Sequence, residues 1–334
     1  MSGYIVNVPA SLPAESSMMQ RGTRAPIGSI RPDVFSTPAN RRHSRTVHIM
    51  IDTPGTTSGS PDHDPVQPTI GRSDDPYLTE ERGLHFDGMV NARDLGGLPL
   101  SSGGVSDCGR LVRSASPQLL TQRGGEQLWQ YGIRTVVDLR TTGEQQREGH
   151  GPLNEYYQDG RITHVDAPLL SDDSWATDPV GTPAALGDPA AHYISYLANG
   201  PTTVRIASEV ASTAAQGGST LLHCAFGKDR TGVITAVLLD VVGVSHEAIV
   251  NDYHATSRNL PALIQRFRGA RSYFRDLSTP DPAAMDTQPE GIAGMLRWLS
   301  HTYGGSAGYL THHGADTGLI VALRRHLTYL PERA

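Results

Sequence analysis

Apolar and polar positions follow two regimes along this chain. Residues 1 to about 80 show almost no apolar periodicity and are rich in Ser, Thr, Pro, Gly, Arg and Asp, as in the run Thr53 to Pro61. A segment of this kind buries too little apolar surface to offset its ordering entropy, so residues 1–80 are expected to form a disordered tail. Within it only Val47 to Ile51 reads as a short strand. From residue 81 to 334 the pattern is that of a folded domain. Short apolar runs at Arg110 to Ser114, Thr135 to Leu139, Ile162 to Val165 and Ser219 to His223 predict strands. Helical spacing predicts a helix over Gln118 to Tyr131, with Leu119, Leu120, Leu128 and Tyr131 inward and a weak point at Gly124-Gly125. Further helices are expected over Thr202 to Ala215 and Gly232 to Val242, then over 245–257, 260–277, 289–302 and 316–329. The Asp-, Pro- and Gly-rich stretch from Asp172 to Pro189 reads as a surface loop. Strands alternating with helices predict an α/β fold, a mostly parallel central sheet flanked by helices.

Composition narrows the function by exclusion. A net charge of -6 gives the 334-residue chain no overall attraction to nucleic acid or anionic membranes, so any anionic substrate needs a local positive site. No apolar run of about 18 residues is present, which argues against a transmembrane helix. Met1 to Ala10 lacks a charged leader followed by an apolar stretch. The two cysteines, Cys108 and Cys224, are too far apart to suggest a metal or disulfide framework, and they suit a reducing, cytoplasmic location. Of 28 basic residues, 27 are arginines, and the single lysine is Lys228. Ammonium and guanidinium differ in hydration and geometry, so Lys228 is read as a position where arginine does not serve.

That lysine sits in the segment His223-Cys224-Ala225-Phe226-Gly227-Lys228-Asp229-Arg230-Thr231-Gly232, between a predicted buried strand and an apolar helix. A tight turn opening a helix makes an anion cradle from backbone amides, here those of Ala225, Phe226 and Gly227, and from the helix N-terminus. Cys224 and Arg230 are separated by five residues, which lets a curled loop place sulfur beneath a bound phosphorus while the guanidinium fork returns to its oxygens. Cysteines set beside helix N-termini and cations react as thiolates. Cys224 is therefore expected to attack phosphorus and form a phosphocysteine that water then hydrolyses. Thr231 is placed to donate a hydrogen bond to the sulfur, and the chemistry calls for no metal or other cofactor.

The loop resembles that of the bacterial tyrosine and lipid-like cysteine phosphatases of dual or triple specificity, the group of the mycobacterial protein-tyrosine-phosphatase B. Asn91-Ala92-Arg93-Asp94-Leu95-Gly96-Gly97 is similar to that family's N-F-R-D-L-G-G segment, with Ala92 in place of the aromatic residue. Leu111-Val112-Arg113-Ser114 is similar to L-[FY]-R-S, and Asp138-Leu139-Arg140 with Glu144 to D-L-R-x-x-x-E. Tyr303 to Leu310 resembles Y-G-S-x-x-G-Y-L with one extra glycine. The resemblance implies a cysteine-phosphatase-like fold, with Cys224 as nucleophile, Arg230 and Lys228 as phosphate ligands and Asp229 as general acid. Asp172, Asp173 and Asp178 in the polar stretch are the alternatives for that acid.

Other charged positions have blander readings. Arg140 either lines the substrate pocket or pairs with Glu144. Asp138, inside a strand, is expected to accept hydrogen bonds from loop amides. Arg93 and Asp94 are expected to brace the loop from behind, and His223 to orient the cysteine backbone. His312 and His313 are adjacent and offer no metal-ligand spacing. The substrate is expected to be a phosphorylated protein, with a phosphoinositide or a small phosphorylated metabolite or nucleotide as alternatives. A phosphatase-like module that binds phosphate without turnover is the contrasting reading; a defective loop would mark it, and Cys224, Arg230 and Thr231 are all present.

Overall fold

A computed structural model describes residues 82–171, 189–268 and 286–329. All lie in the second of the two units into which the chain divides, Thr69–Ala334. The expected tail at 1–80 and the aspartates Asp172, Asp173 and Asp178 lie outside the described residues.

The central sheet has five strands: β1 (Arg93–Asp94), β3 (Leu111–Ser114), β6 (Ser219–His223), β4 (Ile133–Asp138) and β5 (Thr163–Asp166), side by side in that order. Four of them run parallel, and only the edge strand β1 is antiparallel to its neighbour. A second, two-stranded sheet pairs β2 (Val105–Ser106) with β7 (Thr328–Tyr329). Strand β6 is central and buried at all five positions, as a strand covered on both faces must be. Because side chains alternate across a strand, consecutive residues feed two cores. Val112, Val136 and Leu221 pack with Phe86, Leu120 and Leu128 on one face. Leu111, Val137 and Leu222 join the larger core on the other.

The smaller core is closed by α1 (Gln122–Tyr131) and α3 (Leu153–Gln158). The larger one takes α5 (Gly200–Ala215), α6 (Asp229–Val242), α9 (Pro289–Tyr303), α10 (Ser306–His312) and α11 (Thr317–Leu327). Helix α6 buries Val233, Ile234, Val237, Leu238, Leu239 and Val242, each stabilising the fold by roughly 1.5–3 kcal/mol relative to exposure. The short helices α2 (Thr142–Glu148) and α4 (Pro189–Ser195), with α7 (His246–His254) and α8 (Leu260–Phe267), are the remaining α-helices among the described residues.

Several expected boundaries move. The helix predicted from Gln118 starts at Gln122, because Pro117 to Leu119 form a separate 3-10 turn and Thr121 caps α1 through Gly124 N–H. Leu119 consequently points outward, 40% exposed, instead of into the core. The expected weak point at Gly124 is a close contact: a Cβ there would lie 2.0 Å from Asp87 O. The helix expected over 245–257 ends at His254 and gives way to a 3-10 turn, Ala255–Asn259. Helix α10 has no counterpart among the predicted helices. No described helix is long and apolar enough to cross a membrane.

Candidate active site

Strand β6 delivers Cys224 to the end of the sheet, and α6 begins five residues later at Asp229. Between them the chain turns through Gly227, whose φ of +66° only glycine adopts without strain. A Cβ at Gly227 would meet Ser114 O at 2.1 Å. Cys224 lies at the bottom of this loop, 3% exposed.

The loop's carbonyls are drawn outward by groups behind it. Ser116 N–H donates to Ala225 O (2.9 Å), and Asn91 Nδ2 donates to Phe226 O (3.0 Å) and more weakly to Gly227 O (3.4 Å). Arg113 Nη2 donates to Gly227 O (2.8 Å) and Lys228 O (3.2 Å). In a planar trans peptide the N–H points opposite to the C=O. Holding the carbonyls of residues 225–228 outward therefore turns the amides of 226–229 toward the concave side, where an anion would sit. Lys228, the residue before α6, offers no side-chain acceptor to the first-turn amides of the helix.

Arg113 and Arg93 are themselves held by Asp252. Asp252 Oδ2 accepts from Arg113 Nη1 (2.9 Å), and Oδ1 accepts from Arg93 Nε and Arg82 Nη1 (both 3.0 Å). Arg93 Nη1 also donates to Asn91 Oδ1 (2.8 Å), which ties Asn91, at an unusual φ of +58°, into the same network. Burial alone would raise the Asp252 pKa, yet Arg93, Arg113 and Arg82 hold it well below the usual carboxylate range. Burial and Arg113 lower Arg93 to about 10, still charged at neutral pH. Removing one partner from a buried ion network leaves uncompensated charge, so Asp252→Ala is expected to cost about 3–5 kcal/mol in chemical denaturation. Because the folded pKa is depressed, the Asp252 contribution is complete above its ordinary value of 3.8 and is lost as pH falls below it. The variant should lack that part of the acid-side slope.

Arg230, in the first turn of α6, is clamped by Glu144 in a two-bond fork: Nη1 to Oε2 at 2.5 Å and Nη2 to Oε1 at 3.0 Å. Burial opposes the guanidinium's charge, but the Glu144 carboxylate raises the Arg230 pKa well above its ordinary value. Glu144 is completely buried and also accepts from Thr141 N–H (2.7 Å), closing a capping box that starts α2. Thr231 Oγ1 is buried without a hydrogen-bond partner, which leaves the hydroxyl after Arg230 available to sulfur or ligand.

Lys228 Nζ donates to Asp286 O (3.2 Å) and lies 3.5 Å from Asp229 Oδ2. Asp229 is only partly exposed, and its Oδ1 accepts from Tyr193 Oη (3.0 Å) and, at longer range, Tyr253 Oη (3.4 Å). Both charges are thus borne by the loop itself and face one another.

Two expected positions, Arg140 and Asp94, are corrected. Among the described residues Arg140 pairs with Asp138 and not with Glu144. It is fully buried, with Nη2 on Asp138 Oδ2 (2.6 Å) and Nε on Oδ1 (2.9 Å), so it offers no surface to a substrate. Asp138 takes that guanidinium and, as expected of a loop amide, the Arg140 N–H (3.0 Å). Asp94, expected to brace the loop, instead closes the turn between β1 and β3 by accepting from Gly96 N–H (2.7 Å), Gly109 N–H (2.6 Å) and Tyr131 Oη (2.5 Å). Burial pushes His223 down to about 4, so it is neutral near pH 7, with Nδ1 3.1 Å from Cys224 O and Nε2 3.7 Å from Asp138 Oδ2.

The tertiary fold also gathers Asp138, His150 and His164, with ligand atoms all within 4.8 Å, a grouping that spacing along the chain does not reveal. Both oxygens of Asp138 already accept from Arg140, so a cation there would have to displace the guanidinium. Glu144 as the partner of Arg230, and Arg113, Asp252, Tyr193 and Tyr253, were missed by sequence reasoning. The signals were the Thr141-x-x-Glu144 capping spacing, a charged residue, Arg113, inside an apolar strand, and the place of both Arg113 and Glu144 in the family-like segments.

A family model described as the tyrosine phosphatase family matches residues 84–329. A Cupriavidus necator protein named as a tyrosine-protein phosphatase is 37% identical over 185 residues, covering 53% of this chain and 65% of that protein. The chain thus spans just under two thirds of that relative. The triple specificity protein phosphatase PtpB of Mycobacterium tuberculosis is 27% identical over 251 residues, covering 65% of this chain and 90% of that protein. A tyrosine-protein phosphatase of Nostoc commune is 28% identical over 224 residues, covering 65% and 73% respectively.

Proposed function

Because the chain belongs to the tyrosine phosphatase family, we propose that it hydrolyses phosphate monoesters through a phosphocysteine on Cys224. The reading is carried by a cysteine at the base of a loop whose carbonyls are drawn outward, with Arg230 held as a fork in the same loop. In the first step the Cys224 thiolate attacks phosphorus, an S–P bond forms, and the P–O bond to the leaving group breaks. Asp229 gives its proton to the departing oxygen. In the second step water attacks phosphorus, the S–P bond breaks, and Asp229 takes the proton from that water. Inward amides and Arg230 stabilise the equatorial oxygens in both steps, and the Thr231 hydroxyl donates to sulfur as it leaves. Turnover of an aryl phosphate that is blocked by orthovanadate and indifferent to chelators is expected; a rate that vanishes with chelator would count against this chemistry.

A phosphorylated protein, with phosphotyrosine first, is the substrate favoured by the family. The phosphoinositide reading rests on Lys228, the chain's sole lysine, which is borne by the same loop and would supply a second cation for a multiply phosphorylated head group. Lys228→Arg is expected to lower phosphoinositide turnover roughly tenfold and phosphopeptide turnover less, since the bulkier fork replaces a compact ammonium. Equal rates for variant and parent on both substrates would remove Lys228 from substrate selection. A panel of phosphopeptides, phosphoinositides, nucleotides and small phosphorylated metabolites decides among the classes. We further infer a catalytic domain at 81–334 preceded by a tail at 1–80. A reducing, cytoplasmic setting is supported by the free thiols of Cys108 and Cys224.

A further inference from the structure

Asp229 is useful as an acid only if its proton sits on the oxygen that faces the leaving group. We propose that Tyr253 and Tyr193 form a one-way hydrogen-bond chain that reserves Asp229 Oδ1 as an acceptor and so places the transferable proton on Oδ2. This rests on the reading of Asp229 as general acid given above.

Each link has a direction. Gln288 N–H donates to Tyr253 Oη (3.2 Å). Tyr253 Oη and Tyr193 Oη are 2.5 Å apart, and Tyr193 Oη donates to Asp229 Oδ1 at 3.0 Å. A phenol has one proton to give. With the Tyr193 proton on Asp229, the Tyr193 oxygen is left to accept, and the Tyr253 proton satisfies it. The Tyr253 oxygen in turn accepts from the backbone. Tyr253 Oη also lies 3.4 Å from Oδ1, a weaker contact that leaves the order of the chain intact. Oδ1 accepts from the phenols and Oδ2 from neither, so the phenol chain favours the proton on Oδ2. That oxygen faces Lys228 Nζ at 3.5 Å, whose charge steadies the carboxylate once the proton has gone.

The rings cannot drift. A Cβ on Gly232 in α6 would come within 2.7 Å of the Tyr253 ring, and one on Gly291 in α9 within 2.5 Å of the Tyr193 ring. Two glycines thus make the seats against which the phenols are packed. Both side chains are essentially inaccessible. Burial first, and then the Asp229 charge, raise both phenols well above their ordinary pKa, so they stay protonated donors across the working pH range.

The test uses the full chain with Tyr193→Phe, Tyr253→Phe and Asp229→Asn, each assayed on 4-nitrophenyl phosphate and phenyl phosphate. General acid assistance matters most for the poorer leaving group. The ratio of the nitrophenyl rate to the phenyl rate is expected to rise about tenfold in Tyr193→Phe and more in Asp229→Asn, each relative to the parent. It should rise two- to threefold in Tyr253→Phe, which cuts the chain one link further away. A merely structural role would lower both rates together and leave the ratio unchanged. If Asp229→Asn shifts the ratio while both phenylalanine variants keep the parental value, the tyrosine chain is wrong and Asp229 keeps its role. If Asp229→Asn itself keeps the parental ratio, the acid assignment fails and the chain with it. Should Tyr193→Phe not fold, the ratio in Tyr253→Phe decides alone.

Discussion

Cys224→Ser is expected to lower aryl phosphate turnover by on the order of 10⁵-fold while leaving orthovanadate or phosphopeptide binding within a few-fold of the parent. A serine hydroxyl at this position stays protonated near neutrality and leaves poorly from phosphorus, so both steps of the proposed reaction fail. The cradle itself does not depend on sulfur. Its shape comes from Arg113 and Asn91 on the loop carbonyls, and from Asp252 behind them, through bonds that do not involve the sulfur. Single-turnover kinetics and equilibrium binding separate the two effects. Parental turnover in the variant would rule out a phosphocysteine intermediate, and loss of binding together with turnover would show that sulfur also shapes the anion site.

The second large effect is expected at Arg230. Arg230→Lys keeps a positive charge in the first turn of α6 but replaces a planar fork by a point charge. The two bonds to Glu144 now hold the guanidinium plane in place, leaving its remaining N–H groups aimed by that fixed geometry. Lysine can give Glu144 a partner or reach the phosphoryl oxygens, but it cannot reproduce the fork to both. A loss of about 10²–10³-fold in kcat/KM is expected, with kcat falling more than KM rises, because charge on the equatorial oxygens is stabilised most in the transition state. Glu144→Gln should produce a smaller loss, since the amide still accepts one bond from Arg230 while the other becomes a donor facing a donor. An Arg230→Lys enzyme within threefold of the parent would show that charge alone, not geometry, is what the loop requires.

Glu144 illustrates where sequence reasoning stopped. From sequence it was expected to pair with Arg140, four residues earlier, because a local partner is the simplest one. In the fold Arg140 turns to Asp138 two residues before it, and Glu144 reaches Arg230, 86 positions further along the chain. Nothing local distinguishes the two pairings; the choice depends on β4 and β6 lying side by side, which brings the start of α2 against the start of α6. Asp94 fails for the same reason. Its neighbours in the chain belong to a matched segment, but its acceptors are filled by Gly96, Gly109 and Tyr131, which the β1–β3 turn assembles. Helix α10 was invisible because it has seven residues and follows two glycines at positive φ, too short a span for periodicity to register.

What the sequence determined by itself was the strand over Ser219–His223, the apolar helix after it, and the turn between them. Those features are written in consecutive residues: an apolar run, a glycine where the backbone must reverse, and charged residues at fixed spacing around Cys224. The parallel α/β character follows in the same way, from the order of short apolar strands and amphipathic helices. Only the tertiary structure decided which charges meet. Arg113 and Asp252 are separated by 139 positions, and Tyr193 and Asp229 by 36, yet these contacts orient the loop and its acid. Burial makes such pairings obligatory, because an unpartnered charge or hydroxyl in the interior is costly, but it does not say which partner is chosen. That choice belongs to packing: to the sheet order that stacks β3, β6 and β4, and to the glycines that leave room for two tyrosine rings.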